Sequence, residues 1–64
     1  MTHRVRIVSQ KSRDGKTVEI TTLDPKTGRV VSKYTAPAKN AEADLRAKQD
    51  IYSRRGYRAD VVEG

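Results

Sequence analysis

Thr17-Val-Glu-Ile-Thr-Thr-Leu-Asp-Pro-Lys-Thr-Gly-Arg-Val-Val-Ser-Lys-Tyr-Thr35 decides the fold. Its middle, Asp24 to Gly28, is a turn: proline fixes φ early, and glycine accepts the left-handed residue that ends it. The runs on either side are rich in β-branched residues and read as strands joined in a hairpin. In the first, Thr17–Leu23, Val18, Ile20 and Thr22 point inward and Thr17, Glu19 and Thr21 outward. In the second, Arg29–Thr35, the alternation assigns Val30 and Tyr34 to the core and Arg29, Val31 and Lys33 to the opposite side.

Upstream, Ser12-Arg-Asp-Gly15 supplies the residues a tight hairpin connection needs. His3–Val8 alternates, with Val5 and Ile7 on one face and Arg4 and Arg6 on the other, which predicts a half-buried strand. Downstream the composition changes to helix formers, from about Pro37 or Asn40 to Arg55, with Ala41, Leu45, Ile51 and Tyr52 assigned to one face. Asn40 is the better cap. Glu42 with Arg46, Asp44 with Lys48 and Asp50 with Arg54 are acid-before-base pairs four apart, so the helix neutralises much of its own charge. Gly56 ends it, Tyr57 is placed to pack back on Tyr52, and Tyr57–Val62 reads as a short last strand.

The order is β-β-β-α-β. It predicts an α+β fold: a small three- to four-stranded antiparallel sheet with one helix packed on one face and the other face open. The expected core is Val5, Ile7, Val18, Ile20, Val30, Leu45, Ile51 and Val61. Residues 1–64 read as a single small basic domain, near the size limit for a self-sufficient core. Monomer and homodimer are both compatible with so small a core.

The formal charge is +6, and its distribution is uneven. Residues 1–40 hold nine Lys/Arg against three acids, whereas residues 41–64 hold five against five. The excess lies where the strands are. There is no cysteine, hence no disulfide framework or thiolate metal site. No apolar run approaches a membrane span and the start lacks the apolar stretch of a signal peptide, so a cytoplasmic location without membrane contact is expected. No nucleophile–base pair, metal cluster or phosphate-cradling loop can be assembled, and the single histidine, His3, lies near a terminus. The chain therefore reads as a binding protein, neither an enzyme nor a holder of metal or cofactor.

Arg4, Arg6, Lys11, Arg13, Lys16, Lys26, Arg29 and Lys33, with Thr17 and Thr21 between them, are the candidate contacts of a continuous basic sheet face and rim. Lys and Arg neutralise phosphates and release counterions, and threonine hydroxyls bond phosphate or base edges. Double-stranded DNA is the expected partner. The open face lacks aromatics for stacking single strands.

Gly15-Lys-Thr-Val-Glu-Ile, Asp24-Pro-Lys-Thr-Gly-Arg-Val-Val, Thr35, Asn40-Ala-Glu-Ala and Leu45 together resemble the three-stranded-sheet-plus-helix domains of phage integrase arms and plant ethylene-response factors. The resemblance covers roughly residues 4–56. It implies that the sheet lies in the DNA major groove and that Arg4, Arg6, Lys16, Arg29 and Lys33 make contacts. The family's strand Trp or Phe is missing, and Tyr57–Val62 adds a strand to its minimal unit. The implied role is accessory or regulatory, and size and composition suit a phage or mobile element. The second half, a charged helix running into Gly-Tyr and a strand, instead looks like small phage proteins that inhibit a host protein such as RNA polymerase. That resemblance implies an acidic protein surface as partner and no nucleic acid.

Overall fold

The computed structural model describes residues His3–Glu63. Four strands and one helix follow in the expected order: β1 (His3–Lys11), β2 (Thr17–Leu23), β3 (Val30–Pro37), α1 (Ala38–Arg54) and β4 (Tyr57–Glu63). They form an α+β fold with one four-stranded sheet of order β3-β2-β1-β4. The sheet is mixed, which corrects the expectation of an antiparallel one. β1 pairs antiparallel with β2, and β2 with β3, but β4 runs parallel to β1, with His3 beside Tyr57 and Ile7 beside Val61. Chain direction explains this. Two hairpins leave β3 running the same way as β1, and the helix carries the chain back across the sheet. The next strand therefore starts at the end where β1 starts.

β1 continues three residues past Val8, because Ser9 keeps the inward alternation and is buried. The buried apolar side chains are Val5 and Ile7 of β1, Val18 and Ile20 of β2, Ala36 of β3 and Ala41 of α1. Tyr34, Ala38, Leu45, Tyr52 and Ala59 close over them, half-buried.

Three expected core residues are exposed, each for its own reason. Val30 is 53% exposed. The β2–β3 register sets Ser32 opposite Thr22 but Val30 opposite Leu23, so an extra residue is accommodated in β3. That bulge moves Val30 onto the open face beside Leu23, while Tyr34, opposite Ile20, stays on the helix side. Ile51 is 46% exposed because it follows Leu45 by six residues, about 240° around the helix at roughly 100° per residue. Val61 is 40% exposed. The helix starts beside the β3 end that pairs with Thr17 and finishes where β4 begins, so it crosses diagonally and leaves the far end of β4 uncovered.

The helix start also corrects the expected cap. Pro37, with φ −57° and ψ 140°, precedes the first turn, and no side chain caps it. The Ala38 N–H instead donates to the Lys16 carbonyl at 2.8 Å, tying the helix to the start of the β1–β2 hairpin's second arm. At the other end Gly56 takes φ +86°, and its N–H donates to Ser53 O at 3.1 Å. The tight exit lets Tyr57 meet Tyr52 edge-on, with ring centroids 5.9 Å apart. Of the helix ion pairs, Glu42–Arg46 (3.0 Å) and Asp50–Arg54 (3.1 Å) form. Lys48 does not pair with Asp44. Its ammonium lies 5.1 Å from the centroid of the Tyr34 ring and 3.5 Å from Ser32 Oγ.

Thr22 is fully buried between Ile7 and Ser32, and its Oγ1 finds no hydrogen-bond partner among the described residues. An unpaired buried hydroxyl costs stability that a methyl of the same shape does not. Thr22→Val is expected to raise the unfolding free energy by about 1 kcal/mol in a urea titration. Ile20→Ala is expected to lower it by about 2–5 kcal/mol, enough to leave much of so small a domain unfolded.

Candidate nucleic-acid interface

Alternation along each strand and the pairing between strands fix what the open face carries. Residues directly opposite across a ladder share a face. The rung at the β1 start holds Arg4 beside Arg58. The next runs Val30, Leu23, Arg6, Asp60, and the third Lys33, Thr21, Val8, Val62. The fourth is Thr35, Glu19, Gln10. The face thus has an arginine end, an apolar middle and a polar far end.

The candidate residues fall into groups on this grid. Arg4 and Arg6 are exposed on the open face, and among the described residues neither forms an ion pair. The β2–β3 turn reaches the same end of the sheet, bringing exposed Lys26 and Arg29 with it. On the covered side of that end, Lys26 and Arg4 line a groove of about 670 Å³ with His3, Val5, Tyr52, Tyr57 and Val31. Thr21 sits half-buried in the middle rung, between Val8 and Lys33. Lys33 is exposed and holds Glu19, on the adjacent rung, at 3.6 Å, and the face's second acid, Asp60, lies beside Arg6.

Lys11, Arg13 and Lys16 do not join them. They surround the β1–β2 hairpin at the opposite end, seven strand residues from Arg4 to Lys11, or about 23 Å at roughly 3.3 Å per residue. The continuous basic face expected from the sequence is therefore two basic ends separated by Val8, Leu23, Thr21 and Val62. Linear reading also missed Arg58. It belongs to the half of the chain with balanced charge, and only the parallel docking of β4 sets it against Arg4.

Both turns are held by aspartates. Asp24 Oδ1 accepts from the Lys26 N–H at 2.9 Å, and the Asp24 N–H donates to Arg29 O at 2.8 Å. Asp14 Oδ1 accepts from the Ser12 hydroxyl and from the Lys16 N–H at 3.0 Å. Gly15 and Gly28 supply the positive φ values, +72° and +75°, that these connections require. The Ser12 hydroxyl, followed by the Lys16 amide, holds the Asp14 carboxyl below its ordinary value. On the covered side, burial first and the Asp44 charge second push the Tyr34 phenol up, so it stays neutral.

Among the described residues no group of three or more His, Cys, Asp or Glu is placed to hold a metal ion, and no helix is long and apolar enough to cross a membrane. Comparison with known proteins finds no matching family model, no matching curated protein and no matching solved structure.

Because the folded Asp14 carboxyl lies below its unfolded value, its contribution is complete above that unfolded value and is lost as pH falls through the folded one. Asp14 is fully exposed, so the effect is local to the basic hairpin. An NMR titration is expected to place its midpoint below 3.8, and Ser12→Ala to move it upward. The protection of the Lys16 amide relative to its intrinsic exchange rate is expected to fall over the same acid range.

Proposed function

We propose that the protein binds double-stranded DNA through the arginine end of its open sheet face, in an accessory or regulatory role. The observation that carries this reading is the set Arg4, Arg6 and Arg58, adjacent on two rungs and free of ion pairs among the described residues. Lys26 and Arg29 extend the same end. Guanidinium groups bond phosphate or guanine edges in a two-pronged fashion that lysine cannot reproduce, and a sheet face presents them in a row. The covered side supports the same choice, since α1 spends Arg46 and Arg54 on its own acids. The sheet-first docking of integrase-arm and ethylene-response-factor domains is compatible with this geometry. β4 lies alongside β1 and leaves the outer face open.

The contact set is narrower than the sequence suggests. Arg4, Arg6, Lys26 and Arg29 belong to it, with Arg58 added. Lys11, Arg13 and Lys16 form a second contact at the far end, and Lys33 serves to neutralise Glu19.

A second reading, an acidic surface of a host protein as partner, is favoured by the middle of the face. Val8, Leu23, Val30 and Val62 share it, and an apolar centre with a charged rim is how protein interfaces are built. The two readings separate by competitor. Heparin and random duplex displace a nucleic-acid ligand, whereas the second reading requires a folded acidic protein and shows salt-sensitive association without phosphate preference.

Fluorescence anisotropy of a labelled duplex tests the first reading, with a basic protein of similar charge as control. About five phosphate contacts give a slope of log K against log salt of roughly −4 to −5. Arg4→Ala with Arg6→Ala is expected to lower affinity and reduce that slope by about 2, while Arg46→Ala leaves both unchanged. Affinity no better than the control, or lost on Arg46→Ala alone, would overturn the proposal.

A further inference from the structure

The sheet has two edges, and the sequence guards β3 more heavily than β4. β3 carries a bulge near its start, Lys33 and a terminal Pro37, all devices that keep an edge strand from accepting another chain. β4 has no proline, no lysine and an unbroken register with β1 over seven residues. Val61 and Val62, on opposite faces, are 40% and 42% exposed. Its charges are Arg58 and Asp60, of opposite sign at alternate positions on the open face, and Glu63 at its end.

We propose that two copies of this chain pair through β4, edge to edge and antiparallel, about a two-fold axis at Ala59. Self-complementarity selects that register. With the axis at Ala59, Arg58 of each copy stands opposite Asp60 of the other, giving two cross-strand ion pairs, and Tyr57 stands opposite Val61 on the helix side. An axis at Arg58 sets arginine against arginine, and one at Asp60 sets acid against acid. An axis at Val61 leaves Arg58 with no β4 residue opposite.

Pairing exchanges one hydrogen bond within the chain for one between copies. The Ala59 carbonyl accepts a hydrogen bond from Gln49 Nε2 at 3.1 Å, so it is engaged by a helix side chain outside the β1–β4 ladder. In the pair that carbonyl accepts a backbone N–H of the second copy in place of the Gln49 amide. The core offers a reason for pairing, since only six apolar side chains are buried among the described residues. The resulting eight-stranded sheet has both open faces on one side. Three strand spacings of about 4.8 Å separate the two β1 strands, so Arg4 and Arg6 of both copies gather at its centre. This consequence rests on the proposed function; the pairing itself does not.

Sedimentation equilibrium without nucleic acid, from micromolar to millimolar chain, tests it. The expected mass rises from 7.2 kDa to twice that value. Arg58→Asp places four carboxylates at the junction and is expected to raise the dimer dissociation constant at least about tenfold, as like charges do at an interface. Asp60→Arg is expected to do the same with four guanidinium groups. Combining the two substitutions restores the pairs in reverse and is expected to recover most of the affinity. Each variant's fold is checked by its NMR spectrum. A mass of 7.2 kDa throughout, or a dimer indifferent to both single charge reversals, would overturn the inference. Arg4→Ala with Arg6→Ala, which tests DNA binding, leaves the β4 edge intact and is expected to dimerise normally. Arg58 belongs to the DNA contact set as well as to the junction, so the separation rests on Asp60→Arg, which reads loss of dimer, and on Arg4→Ala with Arg6→Ala, which reads loss of DNA binding.

Discussion

One helix has to cover four strands, and most of the molecule's properties follow from that mismatch. An α-helix with its side chains is about 10 Å across, while four strands at about 4.8 Å span nearly twice that. The diagonal placement of α1 is the compromise, covering the central pair β1 and β2 along their length and each edge strand at only one end. Ile7 and Ile20, at the crossing, are fully buried. Val31 and Val61, at the two uncovered corners, are not. The core is consequently made of small and medium side chains, with Ala36 and Ala41 allowing the helix to approach the sheet.

Element order and the strand faces of β1 and β2 were legible because they rest on local signals: period-two alternation and turn residues that act within five positions. The same signals did not disclose the bulge in β3, since two adjacent valines satisfy either phase and only pairing with Leu23 decides between them. The parallel direction of β4 follows from counting reversals along the chain, and the antiparallel expectation lacked only that count. The helix cap was misread for a different reason. Asn40 is a better cap by residue type, but the tie between Ala38 and Lys16 fixes the first turn earlier. Tertiary contact outweighed local preference there.

The candidate surface shows the same division. Charge counted along the sequence located the excess in the strands and identified Arg4 and Arg6, whose outward phase is a local property. It merged the hairpin cations with them because the sequence places Lys11 and Arg13 nearby. It also left out Arg58, because no property of residues 41–64 alone distinguishes that arginine from those paired along the helix. Proximity in a sheet is set by register, and the β1–β4 register joins the two ends of the described chain.

That junction also orders events during synthesis. β1 leaves the ribosome ahead of the sheet's other three strands and β4 after them, so one edge of β1 stays unpaired while the hairpins and helix emerge. Until β4 arrives, the nascent domain displays an open strand of alternating arginine and aliphatic residues beside an unfinished core. Completion of the sheet therefore waits for β4, the last of its four strands in chain order.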